Sequence, residues 1–213
     1  MFTKNVFFWP FIWGLILTST SYAVGLYLGW VATVSLLEVF AVFTSYVCTI
    51  MCVHQTRWNY PVGIVTTLAY SILFFSQAMP ALALFNLYLV GSLIYGWFRW
   101  GSDTNTRPVS IILPNGYKGY TIFGVLVLIV YLIILSVFGA PLNFIDIGLA
   151  AFSGVAQLML DNKKLENWIV WAGVDIVSIP FFWTNNLKIV AFQYIFFLGN
   201  TVYGYISWKR SMK

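Results

Sequence analysis

The stretch Asn167–Asn185, NWIVWAGVDIVSIPFFWTN, aligns without a gap with Asn59–Gln77, NYPVGIVTTLAYSILFFSQ, 108 residues earlier. The same shift lays YGYISW (Tyr203–Trp208) on YGWFRW (Tyr95–Trp100). Upstream it pairs Asp146 with Glu38, Ser153 with Ser45 and Met159 with Met51. In a chain that is 61% hydrophobic and 20% aromatic, matches between apolar residues carry little weight. Ungapped matches at Asn, Tyr-Gly and Trp do carry weight, and they read as an internal duplication.

Only 8% of the residues are charged, against about 25% in soluble domains, so the chain lacks the polar surface that water demands. It reads as an all-α, polytopic membrane protein. Apolar runs of spanning length fall at 9–30, 32–53, 60–78, 80–99, 120–138, 142–160, 167–185 and 188–207. Each copy of the repeat holds three spans, and the single span 120–138 separates the copies. A three-span unit reverses direction in its next copy, and one intervening helix restores it, so the repeats should run parallel. The expected organisation is an accessory N-terminal transmembrane helix (1–31), a first three-helix repeat (32–101), a loop and linking helix (102–140), and a second three-helix repeat with a basic tail (141–213). Lys4, the apolar run after it and STSYA also fit a signal peptide cleaved near Ala23. The apolar continuation VGLYLGW favours a retained helix.

With a cytoplasmic N-terminus, the inner segments hold Lys4, Arg57, Arg99, Arg107, Lys118, Lys163, Lys164, Lys209, Arg210 and Lys213, and the outer ones only Lys188. The positive-inside rule therefore places both termini in the cytoplasm. Basic residues spread over loops do not form a nucleic-acid footprint. Cys48, Cys52 and the lone His54 fall short of a metal-ligand set, so no metal or cofactor is expected.

The duplication sorts the polar residues, because an asymmetric solute is read best where the halves differ. Glu38 and Asp146 are shared and sit near helix starts, where a carboxylate meets the helix dipole. Trp168, Trp171 and Asp175 face Tyr60, Gly63 and Thr67 across the repeat, and Gln193 and Tyr194 face Phe85 and Asn86. Trp168, Trp171 and Asp175 are spaced to share one helix face. An ionisable group roughly 12 Å into a span marks a pathway or site by default. Two indoles leading to a carboxylate make a slot for a planar, preferably cationic ring. The middle of each span lacks Lys and Arg, which disfavours a phosphorylated solute.

These segments, ENWIVW…DIVSIPFF…FQYIFFLGNTVYGYISW and NYPVGI…LYLVGSLIYGWFRW, resemble the PnuC family of nicotinamide riboside transporters over nearly the whole chain after Glu38. The most specific element is Asn167-Trp168-x-x-Trp171. The resemblance implies a SWEET-like fold, a homotrimer in the cell (inner) membrane, and facilitated diffusion (uniport) of nicotinamide riboside without a coupling ion. Cytoplasmic phosphorylation would then trap the product. Carried to matching positions, the aromatic clamp is Trp168 and Trp171. The polar contacts are Asp175, Gln193, Tyr194 and Asn86, with Asn59 and Asn167 nearer the cytoplasm. Thr66 and Leu93 stand where family members show Asn, and Asp175 replaces an Asn found in some of them. Related proteins carry thiamine or riboflavin, so a vitamin other than nicotinamide riboside stays open. An enzyme would need a catalytic constellation, and the sequence offers no such cluster. A non-transporting scaffold would leave the duplicated halves and deep Asp175 unexplained.

Overall fold

The computed structural model describes residues 7–30, 35–76, 80–102, 105–139 and 143–212. Lys4 and Lys213 lie outside them, as do the expected boundaries at 31/32 and 140/141. Among the described residues eight α-helices follow one another: α1 (Phe8–Tyr27), α2 (Leu36–Val53), α3 (Asn59–Ser76), α4 (Pro80–Arg99), α5 (Tyr117–Val137), α6 (Phe144–Asp161), α7 (Asn167–Thr184) and α8 (Lys188–Ser211). Five segments among the described residues are long and apolar enough to cross a membrane on composition alone: Leu36–Val53, Leu82–Arg99, Pro114–Val137, Phe144–Asp161 and Lys188–Ser211. The helices α3 and α7 each turn a polar face inward, with Asn59, Thr66, Thr67 and Ser71 buried on α3 and Asn167, Asp175 and Ser178 on α7.

The 108-residue repeat reappears in the helix boundaries. Both bounds of α2 and of α3 map onto those of α6 and α7, and the start of α4 maps onto that of α8. Cap residues repeat as well: the Ser35 side chain accepts from Glu38 N–H, and that of Asn143 accepts from Ile145 and Asp146 N–H. Each cap satisfies first-turn donors that have no partner within the helix. Gln55 and Lys163, also 108 apart, share the left-handed backbone (φ 54° and 49°) in the turns after α2 and α6.

Packing closes the six repeat helices into a ring, α2–α3–α4–α6–α7–α8 and back to α2, with the halves meeting at α4/α6 and α8/α2. The outer helix α1 lies against α2 and α8, and α5 lies against α6 and α4. Those contacts are equivalent, so the accessory helix and the linking helix are counterparts, a relation with no residue signature in the sequence. On α1, Ser21 Oγ and Tyr46 OH lie 2.9 Å apart, and Gly14 faces Val47 and Phe43 of α2. Lipid gives helices no hydrophobic reason to associate, so close contact between small residues must hold them. Ala41, Ala156 and Ala191 have no exposed surface.

Symmetry is tightest at the end of the ring where α2, α4, α6 and α8 finish. Trp100 and Trp208, repeat partners, cross edge to face with centroids 5.8 Å apart. Trp100 Nε1–H donates to Leu160 O (3.1 Å), and Trp208 Nε1–H donates to Cys52 O (3.2 Å), again 108 residues apart. Tyr60 meets Trp100 at 5.1 Å and Trp168 meets Trp208 at 5.3 Å, both edge to face. Here the Tyr-Gly pairs find their reason. A Cβ on Gly204 would stand 2.6 Å from the Trp168 ring, and one on Gly96 would collide with the Tyr60 ring and Asp161 Oδ1. Trp100 is 1% exposed, so it belongs to this axial core and not to an interfacial belt as its place near a span end implies.

The same end collects Arg57, Arg99, Arg107, Lys118, Lys163, Lys164, Lys209 and Arg210, with Lys188 at the opposite end. The segment between α4 and α5 is not a free loop. It forms a two-residue hairpin, Gly101–Ser102 with Asn105–Thr106. It then docks on the α6–α7 turn through Ser110 N–H to Lys163 O (3.0 Å), Leu165 N–H to Ser110 O (2.9 Å) and Ile112 N–H to Glu166 Oε1 (2.8 Å).

Candidate substrate cavity

The inward face of α7 is the stripe Trp168, Trp171, Asp175, Ser178 and Phe182, while Ile169, Gly173, Ile176, Val177 and Trp183 are exposed. The stripe steps by three and four residues, the spacing that keeps side chains on one helix face. It borders two cavities inside the ring. The inner one, of about 210 Å³, lies toward the basic end and is bounded by Trp168, Trp171, Asp175, Asn59, Asn200 and Thr201, among others. The outer one, of about 130 Å³, includes Asn86, Asp146, Gln193, Ser153, Ser178 and Phe182 in its wall. Leu89, Trp171, Tyr194 and Phe197 border both cavities and form the partition between them.

The eight expected contacts therefore do not form a single site. Trp168, Asp175 and Asn59 border the inner cavity, Gln193 and Asn86 the outer one, and Trp171 and Tyr194 both. Asn167 borders neither. Its Nδ2 donates to Lys164 O at the start of α7, just as Asn59 Nδ2 donates to Thr56 O at the start of α3. These are matching turn contacts. Both Oδ1 atoms are buried without a partner among the described residues, and Asn59 differs only in bordering the inner cavity.

Trp168 is 4% exposed and edge-packed on Trp208, so much of its ring is fixed by the fold, yet its buried Nε1–H has no acceptor. Trp171 stacks on no other ring among the described residues and is less buried, which leaves an indole face available to a solute. Opposing it in the repeat is Gly63, also in the inner wall. The second half thus supplies the large side chain and the first half the space. Asp175 is 2% exposed, with Oδ2 accepting from Thr201 Oγ1–H at 2.9 Å. Thr201 replaces Leu93 of the first half, so the carboxylate and its support are both specific to the second half.

Gln193 is already committed. Its Oε1 accepts from Tyr70 OH (2.7 Å), and its Nε2 donates to Ser45 Oγ and to Val42 O. It ties α8 to α2 and α3 across the outer cavity. Tyr194 stacks on Phe182 with centroids 5.3 Å apart and rings 14° from parallel. Asn86 uses its Nδ2 on Leu82 O, leaving its carbonyl for the cavity.

Sequence reading missed Asp161, which looks like the start of a polar turn, DNKKLEN. It is wholly buried and accepts from Ser92 Oγ (2.7 Å), Gln157 Nε2 (2.9 Å) and Tyr60 OH (3.1 Å). Those bonds join α3 and α4 of one half to α6 of the other just below the inner cavity, where Gln157 forms part of the wall. Its repeat partner is Val53, and that asymmetry was the available signal. Beside it Lys163, 1% exposed, lies 4.6 Å from the Trp100 ring centroid and donates to Gln55 Oε1 at 3.3 Å. Burial pushes its ammonium down to about 8.

A duplicated ring of membrane-spanning helices around a buried, mostly apolar chamber with a few convergent polar groups defines a membrane transport protein. Residues 35–210 match the model of the family described as nicotinamide mononucleotide transporter, and the chain belongs to that family. It is similar to the nicotinamide riboside transporter PnuC of Escherichia coli (strain K12), 22% identical over 184 residues that cover 73% of this chain and 77% of that one. It is also similar to PnuC of Neisseria mucosa, 31% identical over 90 residues covering 39% and 34% of the two chains. A solved structure described as the vitamin B3 transporter PnuC shares the fold, with a TM-score of 0.75, 20% identity, and coverage of 96% of this chain and 92% of that one. These relatives are named as transporters, not enzymes.

Proposed function

We propose that the chain carries nicotinamide riboside across the cell inner membrane by facilitated diffusion, with the inner cavity as its binding site. One observation carries the reading. A cavity of about 210 Å³ is bordered by Trp171, Asp175, Trp168 and Asn59, with the Trp168 Nε1–H and Asn59 Oδ1 buried and unpartnered among the described residues and no Lys or Arg among its described wall residues. Sites for drug-sized ligands run to about 300–1,000 Å³, so this one suits a single small solute. An indole face attracts a cationic ring, Asp175 favours its charge, and the two unpartnered atoms ask for one acceptor and one donor, which a carboxamide or ribose hydroxyls supply. A phosphate would enter an uncompensated cavity beside a carboxylate. The reading therefore favours the riboside over the mononucleotide of the family's description.

Without a coupling ion, net import depends on consumption inside, which phosphorylation of the riboside provides. The basic end faces the cytoplasm in this reading, as the positive-inside rule requires. The SWEET-like arrangement of halves and the homotrimer belong to the same proposal. Thiamine, also a cationic heterocycle, is the second reading, favoured by Asp175 alone. The test is thermal stabilisation of the purified protein by nicotinamide riboside, nicotinamide mononucleotide, thiamine and riboflavin. The riboside should stabilise and the mononucleotide should not. Stabilisation by thiamine alone would move the assignment to that vitamin, and a response to the mononucleotide equal to the riboside's would overturn the argument from missing cations.

A further inference from the structure

The outer cavity contains a carboxylate that the proposed site does not use. Asp146 sits in the first turn of α6, its Oδ2 accepting from Tyr131 OH of α5 at 3.1 Å. Its Oδ1 is buried without a partner among the described residues, and the residue borders the outer cavity. A buried acceptor left unpaired is costly unless something donates to it. None of the described wall residues there is Lys or Arg. The Gln193 amide, which otherwise has donors to offer, is engaged by Ser45, Val42 and Tyr70.

We propose that the outer cavity is a second station for the solute, a site for its cationic heteroaromatic ring, with Asp146 as the counter-charge. This rests on the cationic-vitamin reading above. The volume limits the ligand: about 130 Å³ beside about 210 Å³ holds a ring, not a ring with its sugar. Tyr194, stacked on Phe182, and Trp171 supply flat aromatic walls. The same two residues form the partition, so a ring leaving the outer station meets them again at the inner one. Each chamber then contains one carboxylate, Asp146 outside and Asp175 inside. Conduction through sites in series needs each to be favourable enough to enter and weak enough to leave. Asp146 is held by one tyrosine and Asp175 by one threonine, so neither is saturated by the protein.

The test is calorimetry on the full-length protein in detergent with 1-methylnicotinamide, the positively charged ring without a sugar, beside nicotinamide riboside. The proposal expects two ring molecules per chain, with one step weakened about 10- to 100-fold in Asp146→Asn, the size of one charged hydrogen bond. The other step should respond to Asp175→Asn instead. A single ring per chain in the wild type overturns the second station and leaves the inner site standing, and this holds even if Asp146→Asn fails to fold. Two steps that a folded Asp146→Asn protein keeps unchanged also overturn it. Failure of nicotinamide riboside itself to bind the wild type overturns the functional reading first, and the station with it.

Discussion

Gly204→Ala tests the axial core and the cavity together. A methyl at Gly204 would stand 2.6 Å from Trp168, whose ring is clamped between this glycine and Trp208. The ring has one way to yield, toward the inner cavity that it borders. Overpacking of this kind costs about 1–3 kcal/mol. Alanine in place of a helix-interior glycine returns about 1 kcal/mol, and that gain needs a control. Gly199 lies on the same helix with open space where its Cβ would be. Comparing Gly204→Ala with Gly199→Ala cancels the propensity gain and isolates the clash. For a chain of this size the pair should differ by roughly 2–12 °C in Tm, measured in detergent without ligand. Affinity for nicotinamide riboside should fall only in Gly204→Ala. If the two variants melt within about 1 °C of each other, the claim that this glycine exists to seat Trp168 is refuted.

Trp171→Ala should weaken riboside binding by about 1–3 kcal/mol, the range for aromatic stacking on planar bases, with Tm nearly unchanged; a folded variant with parental affinity removes Trp171 from the site. Asp175→Asn should cost a cationic ligand more than a neutral one, read by titration with both, and equal losses would point to hydrogen bonding without a charge effect. Trp100→Ala should lower Tm sharply, with about 3–5 kcal/mol lost as for other buried aromatics; a neutral result would return Trp100 to a lipid-facing belt. Lys163 keeps its proton up to about 8 when folded and up to 10.5 when solvated in the unfolded chain, so the unfolded chain binds more protons between those values and stability should rise with pH there. Lys163→Met should flatten the Tm profile between pH 8 and 9.5, and identical slopes would count against the buried ammonium. A reporter fused after Lys213 should read cytoplasm, and an exterior reading would reverse the orientation.

The architecture was legible because duplication leaves marks that survive an apolar composition. The Tyr-Gly and Trp positions do physical work at the axis, where glycine leaves room for an aromatic ring and the indoles both pack and donate. The inward face of α7 was legible for a similar reason, since its polar and aromatic residues stand out at helical spacing. Other features left no such trace. The kinship of α1 and α5 is written in what they touch, and lipid-facing helices carry little else. Asp161 was hidden by neighbours that resemble a solvated turn, because two of its three partners, Tyr60 and Ser92, are distant in sequence. Splitting the expected contacts between two chambers needed Leu89 and Phe197, apolar residues whose sequence setting does not distinguish them from any other.

Trp100 and Trp208 touch each other, and so do Gln55 and Lys163, each pair occupying one position of the duplicated unit. Such self-meeting is what a twofold axis does to a residue lying on it. In a pair of identical half-length chains pressed together about such an axis, any change near the axis would occur twice, and a carboxylate at position 53 would come together with its twin at position 161. A single chain that carries both halves is free of that restriction. Here one half holds Asp161, Trp171 and Asp175 where the other holds Val53, Gly63 and Thr67. Residues on the axis can therefore differ in charge and size between halves that otherwise share one backbone.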